Sequence, residues 1–157
     1  MPRYITTVNA STSASAGEDI FVEISGKAEI YLIRVRYGDG TDTTGKDWDF
    51  RVRLYHETTS TAGSSVTPNV YPIDQAQRAS ALTLKAKNGT TALALGGGTN
   101  TVLDTIIKNG RETFEYIARD DTMAFVTKTS SSFFAVCLTT PSSVGAQKFQ
   151  VTVVWEE

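Results

Sequence analysis

From Gln147 to Glu157 the side chains alternate almost without a break. Phe149, Val151, Val153 and Trp155 fall on one parity and Gln150, Thr152 and Glu156 on the other, with Val154 the exception. A repeat of two residues belongs to a β-strand with one face in a core and the other in water. Such a strand needs neighbours at its edges and a second layer over its apolar face, which limits the fold to packed sheets.

The same repeat recurs upstream. Between Trp48 and Glu57, Trp48, Phe50, Val52 and Leu54 face inward, while Asp49, Arg51, Arg53 and Glu57 face outward. Between Glu29 and Tyr37, Tyr31, Ile33, Val35 and Tyr37 share a face opposite Ile30, Leu32, Arg34 and Arg36. Ile20, Val22 and Ile24 alternate with Phe21 and Glu23, and Ser25-Gly26-Lys27 then reads as a hairpin turn into the next strand. Ser132 to Thr139 is apolar on both parities, the pattern of a central or covered strand. Thr101 to Lys108 and Glu112 to Arg119 flank Asn109-Gly110, a pair that tolerates positive φ and predicts a tight hairpin. Ser80 to Lys87 is a further strand ending at Asn88-Gly89, and Tyr4 to Val8 is a short first strand or an arm.

Three stretches punctuate these segments: Gly38 to Lys46, Thr58 to Asp74, and the flexible link Gly96-Gly97-Gly98. Asp74 to Ala79 could form one helical turn capped by Asp74. No internal repeat or linker divides the 157 residues, so the expectation is a single β-sandwich domain over 1–157, with 1–18 an extended N-terminal arm in one version. About eight or nine strands suit a two-sheet, all-β sandwich of jelly-roll type, with a closed barrel as the alternative.

Composition matters here for what it excludes. A net charge of −2 gives no general attraction to nucleic acid or anionic membrane. No apolar run reaches the roughly 20 residues that span a bilayer. The N-terminal residues carry no apolar secretory segment, and the one cysteine, Cys137, cannot form a disulfide within the chain; both fit a protein made in a reducing cytoplasm.

Chemistry is sparse. His56 is the only histidine, so any Ser-His-Asp or Cys-His arrangement must use it, and one His with one Cys makes a poor zinc site. Cys137, on an apolar strand, reads as a small buried hydrophobe. Asp39 and Asp42 offer oxygen ligands at short spacing but without the closing bidentate Glu of an EF-hand loop; they are also ordinary turn residues. Asp104, Glu115, Asp120 and Asp121 qualify for paired-carboxylate hydrolysis by residue type alone. Arg34, Arg36, Arg51 and Arg53 would share an outward face if their strands paired, there to bind phosphate or a partner's acids, or to be solvated among Glu29, Asp49 and Glu57. The expectation is no catalytic residue, no cofactor and no metal.

Several segments in order carry a resemblance. They are Ile20-Phe21-Val22-Glu23-Ile24, Ile30-Tyr31-Leu32-Ile33-Arg34-Val35 and Phe50-Arg51-Val52-Arg53-Leu54. After these come the Gly-rich loop closing on Val66-Thr67-Pro68, then Pro72-Ile73-Asp74, and the terminal Val151-Thr152-Val153-Val154-Trp155-Glu156-Glu157. This order resembles a loose family of small structural virion proteins of tailed bacteriophages. The resemblance implies a capsid decoration (cement) protein on the outer head surface. Such a protein stabilises the shell by bridging subunits of the major capsid protein, and it is a homo-oligomer, a trimer by preference. Tyr4, Ile5, Tyr71 and Pro72, with Arg51 and Arg53, are the expected contacts, since aromatics and Arg concentrate at interface cores. The alternatives are a carbohydrate-binding β-sandwich module, which would need Trp48 or Trp155 exposed as a stacking platform, and a tail or connector structural protein.

Overall fold

The computed structural model describes residues 1–13, 17–38, 47–61, 63–120 and 122–157. Among these, twelve strand segments form two six-stranded antiparallel sheets. The first sheet runs β10 (Phe125–Thr127), β3 (Ala28–Tyr37), β12 (Lys148–Glu156), β1 (Arg3–Ser11), β6 (Val70–Pro72), and β9 (Phe114–Ile117) also pairs with β3. The second runs β5 (Ser65–Val66), β7 (Thr83–Lys87), β2 (Asp19–Ser25), β11 (Phe133–Thr139), β4 (Asp49–Glu57), β8 (Asn100–Asn109). The chain is thus an all-β, two-sheet sandwich. All nine expected strands form. The three additional ones, β5, β6 and β10, are two or three residues long, too short to show a repeat.

The C-terminal alternation is the centre of the core. Phe149, Val151, Val153 and Trp155 are all at most 1% exposed. Opposite them lie Phe50, Val52 and Leu54 of β4 and Phe134, Val136 and Leu138 of β11, which belong to the same cluster. Phe149 meets Phe50 at 5.0 Å between ring centroids and lies edge-on to Phe21, Tyr37 and Trp48. Aromatic pairs in such geometry add to the burial term itself.

Two bulges change the parity read from sequence. The β3–β12 register shifts between Val154 and Trp155, so Ile30 turns inward and Tyr31, expected on the inner face, sits half-buried beneath the Arg3 guanidinium. The β2–β11 register shifts between Val136 and Cys137, so Phe21 joins the main core while Ile20 packs with Cys137 on the outer side. An extra residue on one strand of a pair has this effect.

Neither expected hairpin forms. Asn109-Gly110 joins β8 in one sheet to β9 in the other, and Gly110 lacks the positive φ of a primed turn. Its amide instead donates to Trp48 O at 2.8 Å, so a contact with another loop directs the chain across the sandwich. Ser25-Gly26-Lys27 likewise carries the chain between sheets, with Gly26 at φ +118°. Asp74 caps an isolated turn, accepting from Ala76 N, and no helix follows. Residues 3–11 are no arm: β1 is bonded along its length to β12 and joined on its other edge by β6.

Candidate functional site

The outer face of the first sheet carries a row of apolar side chains at right angles to its strands. Tyr71 on β6 lies opposite Ile5 on β1, Ile5 opposite Val154 on β12, Val154 opposite Leu32 on β3, and Leu32 opposite Ile117 on β9. The ends are open, with Tyr71 59% and Ile117 53% exposed, and the three middle residues are half-buried. None of the five packs against either hydrophobic cluster of the interior. Directly opposed cross-strand residues have Cβ atoms about 5 Å apart, so the row is continuous. Ile73, 53% exposed, lies beside it where its amide bonds to Arg3 O.

Polar rows border it. On one side stand Arg3, Glu156 and Glu29, with Arg3 Nε donating to Glu156 at 2.8 Å. On the other stand Thr7, Thr152, Arg34 and Glu115, with the two threonine hydroxyls bonded at 3.0 Å and Arg34 paired to Glu115. An apolar strip with a polar border has the make-up of a protein contact surface.

Of the contacts expected from sequence, the structure brings Ile5 and Tyr71 together. Pro72 is half-buried opposite Tyr4. Tyr4 itself is fully buried, stacked on Trp155 at 5.9 Å with its hydroxyl on Arg78 O, and offers no surface. Its position in β1 puts it on the inner parity, which the arm reading missed. Val154, Leu32 and Ile117 complete the row. Val154 is the residue that interrupts the C-terminal alternation, so the sequence did mark one of them.

Arg51 and Arg53 lie elsewhere. β3 and β4 belong to different sheets, so the two arginine pairs occupy opposite outer faces of the sandwich. Glu18 gathers Arg51 at 3.2 Å, Arg53 at 2.9 Å and the Tyr55 hydroxyl at 2.6 Å. Beside this network the segment near Leu93 covers the second sheet. Leu93 is fully buried against Ile20, Tyr55, Ala135 and Cys137, and Ile20 N donates to Leu93 O. Burial pushes the Cys137 thiol well up, consistent with an apolar filler.

Under this cover lies a carboxyl pair that sequence reasoning missed. Glu23 is 1% and Glu57 2% exposed, although Glu57 was expected on a solvated face. Glu23 accepts from Ser60 Oγ at 2.7 Å and Thr61 N at 2.6 Å, and Glu57 accepts from Gly96 N at 3.3 Å. Burial first, then the neighbouring Glu23 carboxyl, raises Glu57 to about 8. Gly96 is therefore a packed position rather than a flexible link: an added Cβ would come within 2.7 Å of Ser60 O. The available signal was Glu23 itself, an acid inside an apolar strand.

His56 lines a cleft of about 380 Å³ with Thr58, Thr101, Thr127, Lys128 and Ser132, and burial lowers its pKa. Glu57 lines the same cleft, and no thiol does. Asp104, Glu115 and Asp120 are exposed, while Asp121, Asp39 and Asp42 lie outside the described residues. Among the described residues, no group of three or more His, Cys, Asp or Glu side chains is placed to hold a metal ion. Among the described residues, no helix is long and apolar enough to cross a membrane. None of the family models, curated proteins or solved structures compared with this chain matches it.

Proposed function

We propose that this is a structural protein that works by association, and specifically a virion protein of a tailed bacteriophage that decorates the capsid surface and bridges subunits of the major capsid protein. The observation that carries this reading is the apolar row Tyr71–Ile5–Val154–Leu32–Ile117, an ordered contact surface on a rigid sheet. A protein that holds other subunits together needs such a surface and no catalytic group. The strand order adds support. With β1–β12–β3–β9 facing β2–β11–β4–β8, successive strands change sheets as in two interleaved Greek keys, and we infer a sandwich of the jelly-roll type. The sequence resemblance to small virion proteins points the same way.

The carbohydrate-binding alternative has no comparable observation behind it. Trp155 is fully buried, and Trp48 packs edge-on against Tyr37 at 5.3 Å.

The test is binding of the purified protein to assembled, undecorated heads, read by co-sedimentation and by quantitative mass spectrometry of native particles. Stoichiometric copies on the head, reduced by Tyr71→Ala with Ile117→Lys, are expected. Particles without this chain, or with it only in the tail, would refute the decoration role.

A further inference from the structure

We infer that the apolar row on the first sheet is covered by the same row of a second copy, across a two-fold axis running along the row. This rests on the reading of the protein as one that works by association: the row joins two copies, and the pair so formed bridges capsid subunits through surfaces away from the row.

The argument is one of self-complementarity. A two-fold axis lying along the row places each apolar side chain against its own counterpart and reverses the borders, so the Arg3–Glu156–Glu29 side of one copy faces the Thr7–Thr152–Arg34 side of the other. Glu29 and Arg34 both lie on β3, two register positions on either side of Leu32, with Tyr31 bulged onto the same face between Leu32 and Glu29. The axis therefore sets Glu29 of each copy opposite Arg34 of the other, where it meets the cationic half of the Arg34–Glu115 pair, a contact made twice. The Thr7–Thr152 pair, neutral and already hydrogen-bonded, faces the Arg3–Glu156 pair, already neutralised within its own chain. No like charges meet along the axis.

The dimensions fit a weak pair. Five strands about 4.8 Å apart and three rows about 6.8 Å apart, with side-chain reach, cover roughly 500 Å² per copy. A total of about 1,000 Å² is at the lower edge of specific interfaces, so the pair should dissociate in the micromolar range. Two sheets stacked face to face about 10 Å apart are an ordinary packing arrangement.

Sedimentation equilibrium from about 1 to 300 μM tests this, the range spanning micromolar dissociation. The full chain should move from one to two monomer masses. Ile117→Lys, at an exposed position that spares folding, should raise the dissociation midpoint at least about tenfold. Glu29→Arg and Arg34→Glu should each weaken the pair, and the double exchange should restore it. Wild-type protein that stays monomeric, assembles as a trimer, dimerises regardless of Ile117→Lys, or shows no restoration in the double exchange would overturn the inference. Head binding separates the two readings: a monomer that still decorates heads removes the two-fold pair alone, and a dimer that ignores heads removes the decoration role alone.

Discussion

Replacing Glu57 with Gln should remove most of the pH dependence of stability above pH 6.5. Glu57 is 2% exposed, and burial together with the adjacent Glu23 carboxyl raises it from 4.5 to about 8. Between those values the native protein holds a proton that the unfolded chain has released. Stability is therefore greatest below pH 4.5 as far as this group is concerned, falls as the pH rises, and levels off above about 8. At about 1.4 kcal/mol per pH unit, the full difference has a ceiling of about 5 kcal/mol. The window from pH 6.5 to 8 should show roughly 2 kcal/mol of loss. His56 has the opposite sign, because burial lowers its pKa, and its contribution is confined to below 6.5. The higher window thus isolates Glu57. Glutamine keeps the shape and is neutral at every pH, so Glu57→Gln should match the wild type near pH 5 and exceed it at pH 8.5. Urea unfolding at half-unit pH intervals measures both curves. A wild-type curve flat from pH 6.5 to 8, or a Glu57→Gln curve with the same slope as the wild type, would refute the account of this pair.

Three further outcomes follow from the core. Phe149→Ala removes a ring in contact with four other aromatic side chains and should cost about 3–5 kcal/mol in chemical denaturation. Lys87→Met breaks a fully buried ion pair with Asp19, 3.0 Å long, and leaves the carboxylate with the Ser13 amide; a loss of about 3–5 kcal/mol is expected from the same measurement. The Cys137 thiol, buried and raised by that burial, should react with a thiol reagent only through the opened protein, so at fixed pH its labelling rate should climb steeply with urea.

The strands were legible because a half-buried strand writes its period into the sequence. Phe149 to Trp155 and Phe50 to Leu54 faced inward as their alternation required. Pairing was not legible, because it depends on contacts distant in sequence. Asn109-Gly110 has the chemistry of a tight hairpin, yet the bond from Gly110 to Trp48 O sends the chain to the other sheet. Glu57 was assigned the correct parity and the wrong environment: it faces outward, but residues near Thr61 and Gly96 cover that side of the sheet. The apolar row was visible only in fragments. Val154 stood out as an interruption and Leu32 as an apolar residue among arginines, while their alignment with Ile5 and Tyr71 depends on the register of four strands.

The two outer faces of the sandwich solve the same problem differently. Each presents apolar side chains where a simple alternating strand would present polar ones. On the second sheet the chain covers those of the central strands itself, while Ile107 on the edge strand β8 stays open: Leu93 is fully buried over Ile20, Tyr55 and Cys137, and buried carboxyls bind the backbone of the covering segments at Thr61 and Gly96. On the first sheet the apolar row keeps its ends more than half exposed and joins neither interior cluster. Exposing contiguous apolar surface has a solvation cost that folding alone does not recover. A chain that covers most of one face itself while leaving an apolar row on the other supports the proposal that the second face is covered by something else. That asymmetry, rather than any single residue, is the strongest physical argument that the protein functions through association.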